Sequence, residues 1–197
     1  MPTQVYAVVH DGHQNFLLAI KNDRGYFFHN PNGPGGAIVP AGQQLNGGGS
    51  YALPGGGLAG APADGARQEF LEETNVDLAG FQFQLHPAAY NGVQSPQWDY
   101  WGVFFQVSQD DFQTISSQVE ANLDACTQAS NAVRDGTYGA GQYVQLRAAF
   151  PGCPADDELD SIHEWNLAAQ WPDIQQWQGS QTLGWYYNIL DYWRQNP

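Results

Sequence analysis

Apolar and polar residues follow strand spacing over most of the chain and helix spacing in a few places. Residues 4–9 and 15–20 are β-branched and apolar, and His10-Asp11-Gly12-His13 between them predicts a hairpin with Asp11-Gly12 in the bend. Residues 25–29 read as a third strand. Residues 81–85 alternate with period two, as expected of a half-buried strand, and residues 98–107 form a longer apolar strand. Ser108 and Asp111 make a capping box, which opens a helix with Phe112, Ile115, Val119 and Leu123 on one face. Residues 162–167 read as a short strand. Ser180 is the expected cap of a last helix whose buried stripe is Leu183, Tyr187, Leu190 and Trp193. Residues 30–49 are too rich in glycine and proline for a regular element, so either a mobile flap or a surface loop is expected there. Residues 135–157 read as irregular. No repeat or linker divides the chain, so one domain over residues 1–197 is expected, with a helical and irregular insertion at 109–157. Strands on both sides of one short helix, with a helix at the end, predict an α/β sandwich.

Composition supports a packed core. Of 197 residues, 42% are hydrophobic, including seven Trp, ten Tyr and ten Phe. Charge adds a constraint on partners. Six Lys and Arg against 20 Asp and Glu leave a net charge of −14, which disfavours nucleic acid and anionic membranes. A phosphorylated substrate would be repelled as well unless cations screened it, so the charge argues for metal dependence. No apolar run approaches the roughly 18 residues of a membrane span, and no signal-like segment opens the chain. A cytoplasmic protein is the default expectation. Cys126 and Cys153 lack metal-site spacing and read as two free thiols rather than a disulfide.

Candidate chemistry concentrates in residues 67–76, Arg-Gln-Glu-Phe-Leu-Glu-Glu-Thr-Asn-Val. On a helix, Glu69 shares a face with both Glu72 and Glu73. Carboxylates crowded in this way repel one another unless a cation sits among them, and hard oxygen ligands favour Mg²⁺ or Mn²⁺. A solvated acidic face is the plain alternative. Just upstream, residues 51–58 read Tyr-Ala-Leu-Pro-Gly-Gly-Gly-Leu, a strand end running into glycines.

Strand, glycine loop, short connection and acidic helix together resemble the Nudix hydrolases. Their signature runs from a glycine through a loop glutamate to a helix reading Arg-Glu-(apolar)-x-Glu-Glu-x-Gly-(apolar). Glu69, Phe70, Glu72, Glu73 and Val76 match its second half. Asn75 stands at the glycine, a helix C-cap that needs positive φ and that Asn tolerates next best. Gln68 stands at the arginine and Gly60 at the loop glutamate. Aligning the glycines instead leaves the loop about two residues short. Arg67 could brace the site from the next position, turned by roughly 100°.

The resemblance implies a Nudix-like α/β/α sandwich with a mixed central sheet. It implies hydrolysis of a nucleoside diphosphate linked to another moiety, a small-molecule phosphoanhydride, with Mg²⁺ or Mn²⁺ held by Glu69, Glu72 and Glu73. Glu72 would serve catalysis, and backbone N–H groups of Gly55, Gly56 and Gly57 would approach the substrate closely. In the family a general base often comes from a later loop. Glu158, in the run Asp156-Asp157-Glu158-Leu159-Asp160, is the candidate and Glu164 the reserve, against a reading of the run as solvated surface. Many relatives are homodimers.

Other features add less. The histidines show no pairing with Ser and Asp and no nucleophile elbow. Tyr90, Trp98, Tyr100 and Trp101 could stack on a base or simply pack the core. Scarce basic residues disfavour inositol polyphosphates and long dinucleoside polyphosphates. Three functions therefore stand: a metal-dependent hydrolase, a Nudix-fold binding or regulatory module without catalysis, and an aromatic-rich carbohydrate- or partner-binding domain with an incidental acidic helix.

Overall fold

Hairpin, parallel crossover and glycine strand all meet at one strand, β1 (Thr3–His10). The computed structural model describes residues 3–33, 35–89 and 99–197, with the backbone alone for 86–89. β1 turns through Asp11, whose carboxylate accepts the N–H groups of His13 and Asn15 at 2.7 and 3.1 Å, into β2 (Asn15–Lys21). The two strands pair only at the hairpin root, His10 opposite Phe16. Further along, β1 pairs with β6 (Gly55–Gly57) and β2 with β5 (Tyr51–Ala52), both antiparallel. On its other side β1 runs parallel to β8 (Asp99–Gln106) along its whole length. β7 (Gln82–Ala89) continues the sheet beyond β8, and β9 (Leu159–Asn166) lies antiparallel to β2. A seven-stranded mixed sheet results.

Period-two alternation on β1 distributes its side chains between two cores. Val5, Ala7 and Val9 pack beneath α1 (Pro62–Thr74) and α2 (Gln109–Arg134), through Ala66, Phe70, Phe112, Ile115, Val119 and Leu123. Tyr6 and Val8 meet Ile174, Tyr186, Ile189, Leu190 and Trp193 on the other face. Those residues belong to α4 (Trp171–Gln175), which the sequence pattern did not reveal, and α5 (Gly184–Gln195). Helices cover both faces, so the fold is the expected α/β/α sandwich. Ser108 caps α2 as expected, its Oγ accepting the Asp111 N–H at 3.1 Å.

Four expectations need correction. Residues 30–49 are not one loop: β4 (Gly36–Gln44) pairs with β3 (Arg24–His29) as a separate two-stranded sheet. Ile38 opposite Phe27 anchors it in a third core cluster against the second half of α2. Pro40 falls between Ile38 and Gln43, where the pairing of β4 with β3 is irregular and no ladder partner is assigned to it. Residues 135–157 contain a helix, α3 (Tyr143–Ala149), held by the buried side chains of Tyr143 and Leu146. At the last helix, Ser180 Oγ accepts the N–H of Leu183 at 3.2 Å in the preceding turn, and α5 starts only at Gly184. Leu190 and Trp193 are buried as expected, but Tyr186 and Ile189 complete the stripe in place of Tyr187. On β7 the apolar face is only partly covered, with Phe83 45% and Leu85 41% exposed. Both cysteines are free and buried. Among the described residues, no helix is long and apolar enough to cross a membrane.

Candidate functional site

α1 begins with Pro62 at its first turn, where a missing N–H costs nothing, and buries Ala63, Ala66 and Phe70 on one stripe. It ends at Asn75, which adopts φ 57° and ψ 29° and donates its backbone N–H to Leu71 O at 2.8 Å. This geometry fixes the three glutamates. Glu69 stands centrally, with Glu73 to one side and Glu72 to the other.

Glu69 and Glu73 line a cavity of about 590 Å³ whose wall includes Gly55, Gly56 and Gly57. Glu73 is 3% exposed, and its Oε2 accepts the Gly55 N–H at 3.0 Å. The Gly55 N–H is therefore committed to a protein carboxylate rather than presented to a ligand. A side chain at Gly56 could not fit as the site stands, because its Cβ would lie 2.5–2.9 Å from the Glu69 carboxylate atoms. At Gly55 a Cβ would lie 2.1 Å from Val5 O. The glycines thus let β6 pass between β1 and the acidic helix face.

Burial, then the negative field of Glu72, Glu158 and Asp156, pushes the Glu69 carboxyl up to about 8, against the pull of Lys21. Burial raises Glu73 well above the carboxylate range too, with Glu158 adding to it and Lys21 opposing. Burial is thus the main reason both carboxyl groups resist ionisation, and a cation in the cavity would favour their charged forms.

Glu158 also lines the cavity, and Lys21 Nζ lies 2.8 Å from its Oε2. Burial works against the Lys21 ammonium, but Glu158 and Glu73 outweigh it and hold the amine charged. In the rest of the acidic run Asp160 is exposed, as solvated surface would be, but Asp156 and Asp157 are buried. Asp157 is 2% exposed and accepts from Ser130 Oγ at 2.6 Å, the Tyr26 N–H at 2.8 Å and Asn22 Nδ2 at 3.0 Å. It is a brace that joins α2, β3 and the start of β9.

Glu72 lies outside this cavity's lining. Its Oε1 accepts from Gln68 Nε2 and lies 3.1 Å from His29 Nε2. His29 Nδ1 in turn lies 2.9 and 2.8 Å from the two oxygens of Asp156. Burial raises the Asp156 pKa, with His29 opposing. The backbone closes the same junction: Ala155 and Asp156 donate their N–H groups to Glu72 O at 2.8 and 3.1 Å. The reserve residue Glu164 is exposed, accepts from Gln113 Nε2 at 3.1 Å, and lies apart from the cavity. Arg67 reaches Asp64 at 3.7 Å and none of the glutamates; its Nε is buried without a partner among the described residues.

Of the aromatic candidates, Tyr100 lines the cavity and Trp101 packs toward the opposite core. Tyr90 and Trp98 lie outside the described residues. Tyr6, Trp185 and Tyr186 complete an aromatic wall that sequence reasoning missed. Lys21, His29 and Asp156 were missed as well. The signal for Lys21 was present: a lysine closing a buried apolar strand in a chain with six basic residues needs an anionic partner.

No family model matches the sequence, nor does any curated relative. Among solved structures, the chain is similar to the NUDIX domain of Shewanella oneidensis NrtR, complexed with ADP ribose. The identity is 12% and the TM-score 0.39, covering 87% of this chain and 77% of that one. A mutT/nudix family protein from Listeria innocua gives 12% and 0.39, covering 88% and 82%. A NUDIX hydrolase from Nitrosomonas europaea gives 11% and 0.40, covering 97% and 88%. At these values the likeness carries no argument about the site, and the fold rests on the topology described above.

Proposed function

We propose that the protein is a metal-dependent pyrophosphohydrolase of Nudix type, cleaving a nucleoside diphosphate linked to another moiety. One observation carries this: carboxylates from two distant parts of the chain, Glu69 and Glu73 on α1 and Glu158 before β9, converge on a single glycine-walled cavity. The donor set fits Mg²⁺ or Mn²⁺, being all oxygen, and the raised carboxyl groups are the cost a divalent ion would relieve. Bound there, such an ion would neutralise phosphate oxygens and lower the pKa of a water. The chain's own contribution is arranged around it. Glu73 is oriented by Gly55, Glu158 is the candidate base, and Lys21 is positioned to exchange its carboxylate partner for a phosphate oxygen. Tyr6, Tyr100 and Tyr186 offer an apolar wall with hydroxyls for an organic substituent.

A second reading, a binding module without turnover, is favoured by two contacts. Gln68 occupies the position of a bracing arginine and holds Glu72 itself, and Lys21 ties up the candidate base. One assay separates the two. The protein is incubated with Mg²⁺ or Mn²⁺ and a panel of nucleotide sugars, dinucleotides and nucleoside triphosphates, and release of phosphomonoester is followed. Turnover is expected, falling by about 10²–10³-fold in Glu73→Gln and by a similar factor in Glu158→Gln. Ligand binding without turnover by the wild type would establish the second reading instead.

A further inference from the structure

One cluster beside the cavity has no role in the reading above. His29 closes β3, Glu72 projects from α1 and Asp156 precedes β9, and their candidate ligand atoms lie within 4.8 Å of one another. All three are mostly buried, with side-chain exposures of 23%, 14% and 11%. Each ring nitrogen of His29 faces a carboxylate: Nδ1 faces both Asp156 oxygens, and Nε2 faces Glu72 Oε1 at 3.1 Å. A neutral imidazole has one N–H and one lone pair. Asp156 Oδ1 also accepts the His29 backbone N–H, at 2.6 Å, so Asp156 is fixed beside Nδ1, and the tautomer that donates Nδ1–H to it leaves the Nε2 lone pair for an ion. Nε2 and Glu72 Oε1 then face one another at 3.1 Å, a junction at which a cation could take the ring lone pair and the carboxylate together. Two ligand atoms each about 2.0–2.2 Å from a common ion lie roughly 3 Å apart, which is the separation found here.

We propose that His29 Nε2 and Glu72 are direct ligands of a divalent transition-metal ion, with Asp156 orienting the ring from its far nitrogen. This goes beyond the function proposed above, which places its ion among Glu69, Glu73 and Glu158, and assigns the Glu72 end of the acidic face a different donor set. Imidazole nitrogen selects Mn²⁺ or Zn²⁺ over Mg²⁺, which prefers oxygen and retains its water. Glu69 and Glu73 form an all-oxygen set on the cavity side, so the two ends of one helix face differ in the ion they favour.

The test uses the full chain, stripped of metal and given Mn²⁺ alone, with no substrate. Pulsed electron spin resonance reads nitrogen coupling to the bound ion. Coupling characteristic of directly bound imidazole is expected in the wild type and lost in His29→Gln. Zn²⁺ affinity by calorimetry is expected to fall at least tenfold in His29→Gln and to stay unchanged in His163→Gln, whose histidine is exposed on β9. Should His29→Gln fail to fold, Glu72→Gln reads the same pair from the carboxylate side and is expected to lose the coupling too. Absence of nitrogen coupling in the wild type overturns the proposal in favour of a protonated imidazole bridging two carboxylates. Coupling that persists in folded His29→Gln overturns it equally. Neither readout involves turnover. A protein that binds the ion this way and hydrolyses nothing defeats the function proposed above and leaves this inference standing.

Discussion

Gly56 shows how one residue can control a site without touching a ligand. Its missing side chain leaves room for the Glu69 carboxylate, which a Cβ would approach to 2.5 Å. Because the obstructing atoms are the far end of a flexible side chain, Gly56→Ala is expected to move that carboxylate rather than unfold the protein. Stability should change by less than about 1 kcal/mol, while Mn²⁺ affinity and turnover should each fall by roughly ten- to a hundredfold, since a displacement of about an ångström is enough. Denaturant melts and calorimetry on the same variant check this. Unchanged metal affinity would remove Glu69 from the cation site. At the other end of the helix, Asn75 was readable from sequence for a local reason: the αL conformation at a C-cap admits few residues, and the observed φ of 57° matches.

At the scale of elements, legibility followed the range of the interaction. Strands β1, β2 and β8 and helix α2 announce themselves through spacing and a capping box, all within a few residues. β4 did not, because its glycines and proline contradict strand propensity and its pairing with β3 on either side of an irregular middle makes it a strand. α3 is seven residues long, too short for a helical period to show. The site divides the same way. The glutamates of α1 sit within one turn and could be read together, whereas the acidic run before β9 looked like solvated surface. What buries it are partners far away in sequence: Asp157 on Ser130, Tyr26 and Asn22, and Asp156 on His29. The junction of α1 with α2 carries a prediction of its own. Asn122, on α2, is 8% exposed and donates to Thr74 O at 2.9 Å and Asn75 O at 3.4 Å, which serves carbonyls that α1 cannot pair internally. Asn122→Ala is expected to cost about 1–3 kcal/mol of stability. Asn122→Asp should cost at least as much, because a carboxylate cannot donate to a carbonyl. Urea unfolding of both variants tests the assignment, and an unaffected midpoint in each would rule the contact out as a support for the glutamate helix.

The whole molecule carries a net charge of −14 and concentrates part of it in one partly buried cluster, so folding, proton binding and metal binding are coupled. Glu69 has an ordinary value of about 4.5, which the fold raises to about 8. A raised carboxyl binds its proton more tightly when folded. Its contribution to stability is therefore complete below pH 4.5 and is lost as pH rises through about 8; Glu73, raised in the same direction, adds to the loss. A divalent ion competes with those protons and replaces their effect. The metal-free protein should thus lose thermal stability between pH 6 and pH 8.5, and the gain in Tm on adding saturating Mg²⁺ should grow over the same range. Near pH 7, ion binding should release on the order of one proton or more, which calorimetry in buffers of different ionisation enthalpy measures directly. Glu69→Gln carries no titrating carboxyl and should reduce both the release and the pH dependence of the Tm gain. If the wild type releases no protons and its gain in Tm is flat with pH, the ion binds away from Glu69 and Glu73, and the glycine-walled cavity is not where the cation enters the chemistry.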